Sequence, residues 1–303
     1  MGAGRIPRLA RIIHPALALR VGSGRSVVRH GADFFMASRL DTTFAALRQS
    51  GRKAFVAYIC AGDPSLEETL ENVKTLEACG VDVIELGLPF SDPLADGIVN
   101  QMAAARALEA GADMKGVLEL IRKIREVSQI PLVLFTYLNP VYAYGFEKFH
   151  GDAAAAGADG VLLLDLPPDE AVLNAELHAG LGLQRICLIA PTTPEARIHT
   201  LAAGAQGFIY YISREGVTGA QTTLATNIAS QVQVIKASGT GVPVCVGFGI
   251  STPDQAREVA LAADGVVVGS AIVKVIQTHG GTPSAQTELA AFVKPLVDAV
   301  KSV

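Results

Sequence analysis

Eight short runs of β-branched and apolar residues, each followed by a stretch with helical spacing, constrain this chain more tightly than any other feature. The runs are Phe55–Cys60, Val83–Leu86, Leu132–Tyr137, Val161–Leu164, Ile186–Ile189, Phe208–Ile212, Val242–Val246 and Val266–Val268. Between them, Leu66, Leu70, Val73 and Leu76 recur at helical spacing, and Val117, Leu120, Ile121 and Ile124 repeat the pattern. Ser65 and Glu68 stand as an S-x-x-E capping box before the first of these helices, and Gly80 supplies its stop. Alternating strand and helix patterns imply a parallel sheet. Eight units favour a closed barrel over an open doubly wound sheet. The open sheet would carry a glycine-rich dinucleotide fingerprint after its first strand. Here that strand runs into Ala61-Gly62-Asp63-Pro64 instead. The chain of 303 residues is long enough for two domains, but a (β/α)8 barrel needs about 250 by itself. The expected fold is α/β, a single-domain (β/α)8 TIM barrel over residues 36–303.

Residues 1–35 do not share this pattern. They carry six arginines (Arg5, Arg8, Arg11, Arg20, Arg25 and Arg29) against the single acid Asp33, a charge of +5, while the rest of the chain carries −9. Three readings compete for this basic N-terminal extension: translation read from upstream of an initiator at Met36, an organelle transit peptide, or a disordered native extension. The acidic body argues against nucleic acid as a partner. No run approaches the ~18 apolar residues of a membrane span, so no membrane partner is expected. Cys60, Cys79, Cys187 and Cys245 lie far apart beside apolar runs and read as buried free thiols. A reducing, cytoplasmic location follows, organellar only if residues 1–35 are a transit peptide.

In a barrel the reactive groups belong on the loops after the strands. Side chains alternate along a strand. If Ile84 and Leu86 face the helices, then Val83, Glu85 and Gly87 face the barrel interior. Glu85 is then a carboxylate in the lumen near the catalytic end, with Gly87 leaving space for a ligand. The strand runs hold no interior Arg or Lys to pair with it. Burial should raise its pKa, which suits a proton donor or shuttle. The loop that follows, Pro89 to Gly97, is long for a strand-to-helix connection and holds two more acids. Asp92, before Pro93, shapes a turn. Asp96 reads equally as a pocket acid or as a solvated loop acid or helix cap.

Three further loops are built to hold an anion. They are Ser213 to Gly219, Gly247-Phe248-Gly249-Ile250-Ser251, and Gly269-Ser270-Ala271. Glycine lets backbone N–H groups approach a ligand closely, and the last two loops lead toward helix starts. Barrels often bind phosphate with the loops after strands seven and eight. A small phosphorylated substrate is therefore expected. The lack of an interior Lys in the strand runs argues against a Schiff-base aldolase, and all six His lie outside those runs, so a metal-dependent lyase lacks its usual ligands at the strand ends. Acid/base work by carboxylates is left.

Phe55 to Pro64, the run Glu85-Leu86-Gly87-Leu88-Pro89-Phe90-Ser91-Asp92-Pro93-Leu94-Ala95-Asp96-Gly97, Ser213 to Gly219 and Gly247 to Ser251 together resemble the tryptophan synthase α-subunit family, in order and over residues 39–303. The resemblance implies retro-aldol cleavage of indole-3-glycerol phosphate to indole and glyceraldehyde 3-phosphate. It implies that Glu85 and Asp96 are catalytic: Glu85 protonates indole carbon 3 and helps deprotonate the glycerol hydroxyl, and Asp96 accepts the indole N–H. It implies that Thr218 closes over Asp96, that Tyr210 packs by Glu85, and that Tyr58, Leu134, Tyr137, Leu162 and Leu188 line the indole pocket. Phosphate would meet Gly219, Phe248, Gly249, Gly269 and Ser270. It also implies a β-subunit partner in a heterotetramer of two α and two β chains. Pyridoxal phosphate would belong to that partner, with no cofactor in this chain. The loop around Asp92 to Gly97 and the segment Asn139 to Tyr144 would face the β subunit. The alternative is a stand-alone lyase releasing free indole. Ile98 departs from the family, which usually has Pro directly after Ala95-Asp96-Gly97, and residues 1–35 match nothing in its core.

Overall fold

The computed structural model describes residues 38–167, 181–213, 221–247 and 249–303. Residues 1–35 lie outside them. Nine strand segments form one wholly parallel sheet. They are β1 (Ala54–Cys60), β2 (Val83–Gly87), β3 (Leu132–Thr136), β4 (Gly160–Leu163), β5 (Gln184–Arg185), β6 (Cys187–Ile189), β7 (Ile209–Ile212), β8 (Val244–Gly247) and β9 (Gly265–Val268). The sheet order is β5-β4-β3-β2-β1-β9-β8-β7-β6. The two ends of that order, β5 and β6, are separated in the chain by Ile186 alone. They are one barrel strand in two pieces: Gln184 and Arg185 pair with β4, and Cys187 to Ile189 pair with β7. The eight expected runs are therefore the eight staves of a (β/α)8 barrel. The polar pair Gln184–Arg185, which no apolar run announced, joins its two edges.

Alternation along the strands divides the core in two. Phe55, Ala57, Ile59, Ile84, Leu86, Leu132 and Leu134 pack outward under the helices. Ala54, Val56, Val83, Val133, Leu162, Ile186, Phe208, Cys245 and Val267 fill the lumen. The helix Arg39–Gln49 closes the lumen from below. Leu40, Phe44 and Leu47, at helical spacing, enter this same inner cluster, and the Phe44 and Phe208 rings meet at 5.8 Å. Each such buried side chain contributes about 1.5–3 kcal/mol. Ser38 and Asp41 form a complete capping box at the start of that helix.

Ser65 caps the helix Leu66–Ala78 as expected, accepting from the Glu68 N–H at 3.1 Å. The return half of the box is absent. The Glu68 carboxylate instead accepts the Gly281 N–H at 2.8 Å, so it ties this helix to the far end of the chain. Gly80 follows the helix with φ +93°, a conformation that glycine adopts without strain. All four cysteines are buried and free. Among the described residues, no helix is long and apolar enough to cross a membrane.

Candidate active site

The inward parity of β2 holds. Glu85 is fully buried and pairs in register with Tyr58 of β1 and Val133 of β3. Among the described residues, its Oε1 and Oε2 have no hydrogen-bond partner. Burial alone pushes its pKa from 4.5 up to about 8, so near neutrality it holds a proton. Two tyrosines share the space with it. Burial is also the main force raising the pKa of both Tyr58 and Tyr210, and the Glu85 charge adds to it. Each tyrosine depends on a glycine. A Cβ on Gly87 would meet the Tyr58 hydroxyl at 2.5 Å, and one on Gly247 would meet the Tyr210 hydroxyl at 2.5 Å. The room at Gly87, expected to admit a ligand, is taken up by the Tyr58 ring.

Asp96 sits where the loop after β2 folds back. Its N–H bonds to Pro93 O at 3.0 Å, and Leu94 N–H bonds to Asp92 O at 2.9 Å. Asp92 is an exposed turn residue held by the Ser91 hydroxyl at 2.5 Å. Four contacts fix Asp96 and the residue before it. The Tyr137 hydroxyl donates to Asp96 Oδ2 at 2.8 Å and accepts the Ala95 N–H at 3.0 Å. Asn100 Nδ2 donates to Asp96 Oδ1 at 3.4 Å, and Gln101 Nε2 donates to the Asp96 carbonyl at 2.9 Å. Partial burial raises the Asp96 pKa, and the bonds from Tyr137 and Asn100 oppose that rise. The Phe90 ring meets the Tyr137 ring at 5.5 Å, tilted by 41°, which ties the loop to the end of β3. Cys60, beside this loop, is a poor nucleophile, because burial followed by the Asp63 charge pushes its thiol pKa up.

The expected indole-pocket residues divide. Tyr58, Leu162, Leu188 and Tyr210 belong to the inner clusters, and Tyr137 lies at the mouth against Asp96. Leu134 does not belong there. It pairs with Leu86 and packs outward in the helix-facing core. Its neighbour Phe135 is the inward residue, paired with Gly87 and Leu162 and meeting Tyr58 edge-on at 5.0 Å. The parity that turned Glu85 inward, carried across one register step to β3, would have found it. Asn100 and Gln101 were also missed; their only trace in the sequence is a spacing of four and five residues after Asp96, at the first turn of the helix Ile98–Glu109.

Beyond β1 from β2, Gly247 of β8 pairs with Val267 of β9. Gly249 and Gly269 each lie two residues beyond that pair, so the two glycines stand on adjacent loops. Gly249 takes φ +68° and is exposed. Gly269 precedes the helix Ser270–His279, whose first turn has no side-chain cap and leaves backbone N–H groups for an anion. Thr218, Gly219 and Phe248 lie outside the described residues.

Comparison with known proteins bears on this arrangement. The family model described as tryptophan synthase alpha chain matches residues 44–301. The chain is 48% identical over 265 residues to the tryptophan synthase alpha chain of Opitutus terrae, covering 87% of this chain and 99% of that one. It is 48% identical over 263 residues to that of Geobacter sulfurreducens, with the same coverage of 87% and 99%. The crystal structure of tryptophan synthase subunit alpha from Legionella pneumophila superposes with a TM-score of 0.81 at 36% identity, covering 88% of this chain and 99% of that one.

Proposed function

Because this chain belongs to the tryptophan synthase alpha chain family, we propose that Glu85 and Asp96 are the residues that carry the family's reaction. The chain is a carbon–carbon lyase, the α subunit of tryptophan synthase. It cleaves indole-3-glycerol phosphate to indole and glyceraldehyde 3-phosphate. The observation that carries the residue assignment is Glu85: fully buried, without a polar partner, and protonated near neutrality.

The bond to be broken joins indole carbon 3 to the hydroxyl-bearing carbon of the side chain. Glu85 delivers its proton to carbon 3, and the ring nitrogen takes up the positive charge. The ionised Glu85 then removes the proton of the side-chain hydroxyl. The C–C bond breaks, its electron pair returns to the ring, and an aldehyde is released. Glu85 ends protonated, so protons and electrons balance. Asp96 accepts the ring N–H and stabilises the charge while it exists. Tyr137, by fixing Asp96 Oδ2, lets that stabilisation act without rearrangement. Phe135, Leu162, Leu188, Tyr58 and Tyr210 provide an apolar slot suited to the indole ring. The N–H groups around Gly249, Gly269 and Ser270, with Gly219 and Phe248, hold the phosphate. Thr218 closes over Asp96 and excludes water.

The partner is the β subunit, in a complex of two α and two β chains, and pyridoxal phosphate belongs to the β chain. Exposed apolar side chains support a docking face around the mouth: Leu94 is 90% exposed, Ile98 69% and Tyr142 57%. The proposed lyase domain is residues 36–303, with residues 1–35 a basic N-terminal extension by composition. Sequencing the N-terminus of the native protein decides among a later start, a removed leader and a retained tail.

Glu85→Gln, assayed by indole release, is expected to lose about 10³-fold or more in kcat and to keep its affinity for glycerol 3-phosphate. Retained turnover would overturn the mechanism. Adding the cognate β subunit should raise turnover strongly; unchanged turnover would point to a stand-alone lyase.

A further inference from the structure

The first turn of the helix Ile98–Glu109 uses its polar residues in an unusual way. Its N-cap is Gly97, which offers no side chain to the orphan N–H groups. The third helical residue, Asn100, stands where a reciprocal cap would reach back to the N-cap backbone. Its amide nitrogen points to the carboxylate of Asp96 instead. With Asp96 ionised this orientation is required. Turned the other way, the Asn100 carbonyl would face a carboxylate oxygen, two acceptors with no proton between them. The cost falls on the other end of the amide: Asn100 Oδ1 is buried and, among the described residues, has no hydrogen-bond donor. A native chain does not usually leave a buried acceptor without a partner unless something else requires it.

We propose that Asn100 is a positioning residue for the lyase reaction: its amide fixes the second oxygen of Asp96 toward the substrate's ring N–H, and its own carbonyl stays unpartnered as a consequence. This rests on the reading of Asp96 given above. Tyr137 holds Oδ2 and Asn100 holds Oδ1, while Gln101 fixes the backbone carbonyl. Donors on both oxygens, Tyr137 at 2.8 Å and Asn100 at 3.4 Å, resist rotation of the carboxylate about its terminal bond. Asn100 also favours the ionised carboxylate, so its loss makes Asp96 easier to protonate.

The groups around Asp96 leave the acid side of the pH profile to Asp96. Tyr58 and Cys60 from β1, Tyr137 after β3 and Tyr210 from β7 all have pKa values pushed upward by burial. Arg106 and Asp63 are paired with each other at 2.7 Å. Glu85 titrates at about 8, on the alkaline side.

The test uses Asn100→Leu, which has similar size but no donor, and Asn100→Asp, which places a second carboxylate beside Asp96. Asn100→Leu is expected to lower kcat/KM for indole-3-glycerol phosphate about tenfold, with a Tm equal to or above that of the native chain, because a buried orphan acceptor has gone. Its acid limb should move up by roughly half to one pH unit, and that of Asn100→Asp further. An unshifted acid limb, or activity that falls only in step with Tm, overturns the proposal. Asp96→Asn, measured alongside, separates the two claims. An inactive Asp96→Asn beside a fully active Asn100→Leu overturns the role of Asn100 alone. Native turnover in Asp96→Asn overturns the reading of Asp96 and this proposal with it.

Discussion

The tripeptide Ala-Asp-Gly occurs three times in this chain, and the barrel places its copies at opposite ends. Asp159 and Asp264 stand just before β4 and β9, at the foot. Asp159 is bound by Arg39 at 2.9 Å, by Arg125 at 2.7 Å and by the Leu132 N–H at 2.8 Å. Asp264 is bound by Lys236 at 2.8 Å and by the Val244 N–H at 2.9 Å. Asp82, before β2, repeats the arrangement with Lys301 and the Phe55 N–H. Each foot aspartate therefore pairs with a cation and with an N–H at the start of a neighbouring strand, the first residue of β3 and β8 and the second of β1. At the mouth, Asp96 has only neutral donors and Glu85 has none, and among the described residues neither forms an ion pair. The same chemical group is neutralised at one end, where it holds strands together. At the other it is left uncompensated, where a nearby cation would have fixed it in the ionised form and removed its use as an acid.

The sharpest way to break this comparison is to exchange effects between the ends. Glu85→Gln should cost about 10³-fold or more in indole formation without lowering Tm, since it removes a buried group that has no partner. Asp159→Ala should do the reverse. It leaves Arg125 without its carboxylate in the interior and should cost about 3–5 kcal/mol of unfolding free energy, read by denaturant titration, while the folded fraction keeps near-native kcat. A catalytic loss in Asp159→Ala at full stability would end the division between foot and mouth.

Dependence on pH comes next in size. Glu85 has a pKa raised in the fold from 4.5 to about 8, so between those values the folded chain holds a proton that the unfolded chain has released. Stability contributed by this group is greatest below about pH 4.5 and falls as pH rises to about 8, by about 1.4 kcal/mol per unit at most. Calorimetry at pH 5 and pH 8 should show Glu85→Gln gaining on the native chain as pH rises; parallel Tm profiles would contradict the buried, unpartnered carboxyl. Turnover should fall above about pH 8, where the proton donor is lost. The smallest effect serves as a control. Ser65 lies at the mouth end but only caps a helix. Ser65→Ala should cost about 1 kcal/mol and leave kcat unchanged.

Much of this was legible in the sequence, and the limits are physical. Alternation and helical spacing located the eight barrel strands because each is buried on both sides and so reads as an apolar run. Gln184–Arg185 escaped because it is polar and half-exposed, yet it closes the ring. Glu85 was found by parity within one strand. Leu134 was carried over from the family resemblance; parity along β3, once its register with β2 is known from the pairing of Glu85 with Val133, turns Phe135 inward instead. Nothing in the three Ala-Asp-Gly copies distinguishes foot from mouth, since that depends on which side of a strand each one lies. Asn100 could not be found by spacing, because what marks it is an unsatisfied oxygen, a property of packing.

Asp82 bears on Glu85 in one more way. Its carboxylate accepts the N–H of Phe55, the second residue of β1, at 2.6 Å, which supports the register of β2 against its neighbour. Glu85 follows three residues later, about 10 Å up the strand, and so stands level with Tyr58. A slip of one residue would turn Glu85 out of the lumen and into the helix layer. The foot of the barrel thus acts as a datum for the proton donor's position, and a carboxylate remote from the substrate helps keep the acid facing it.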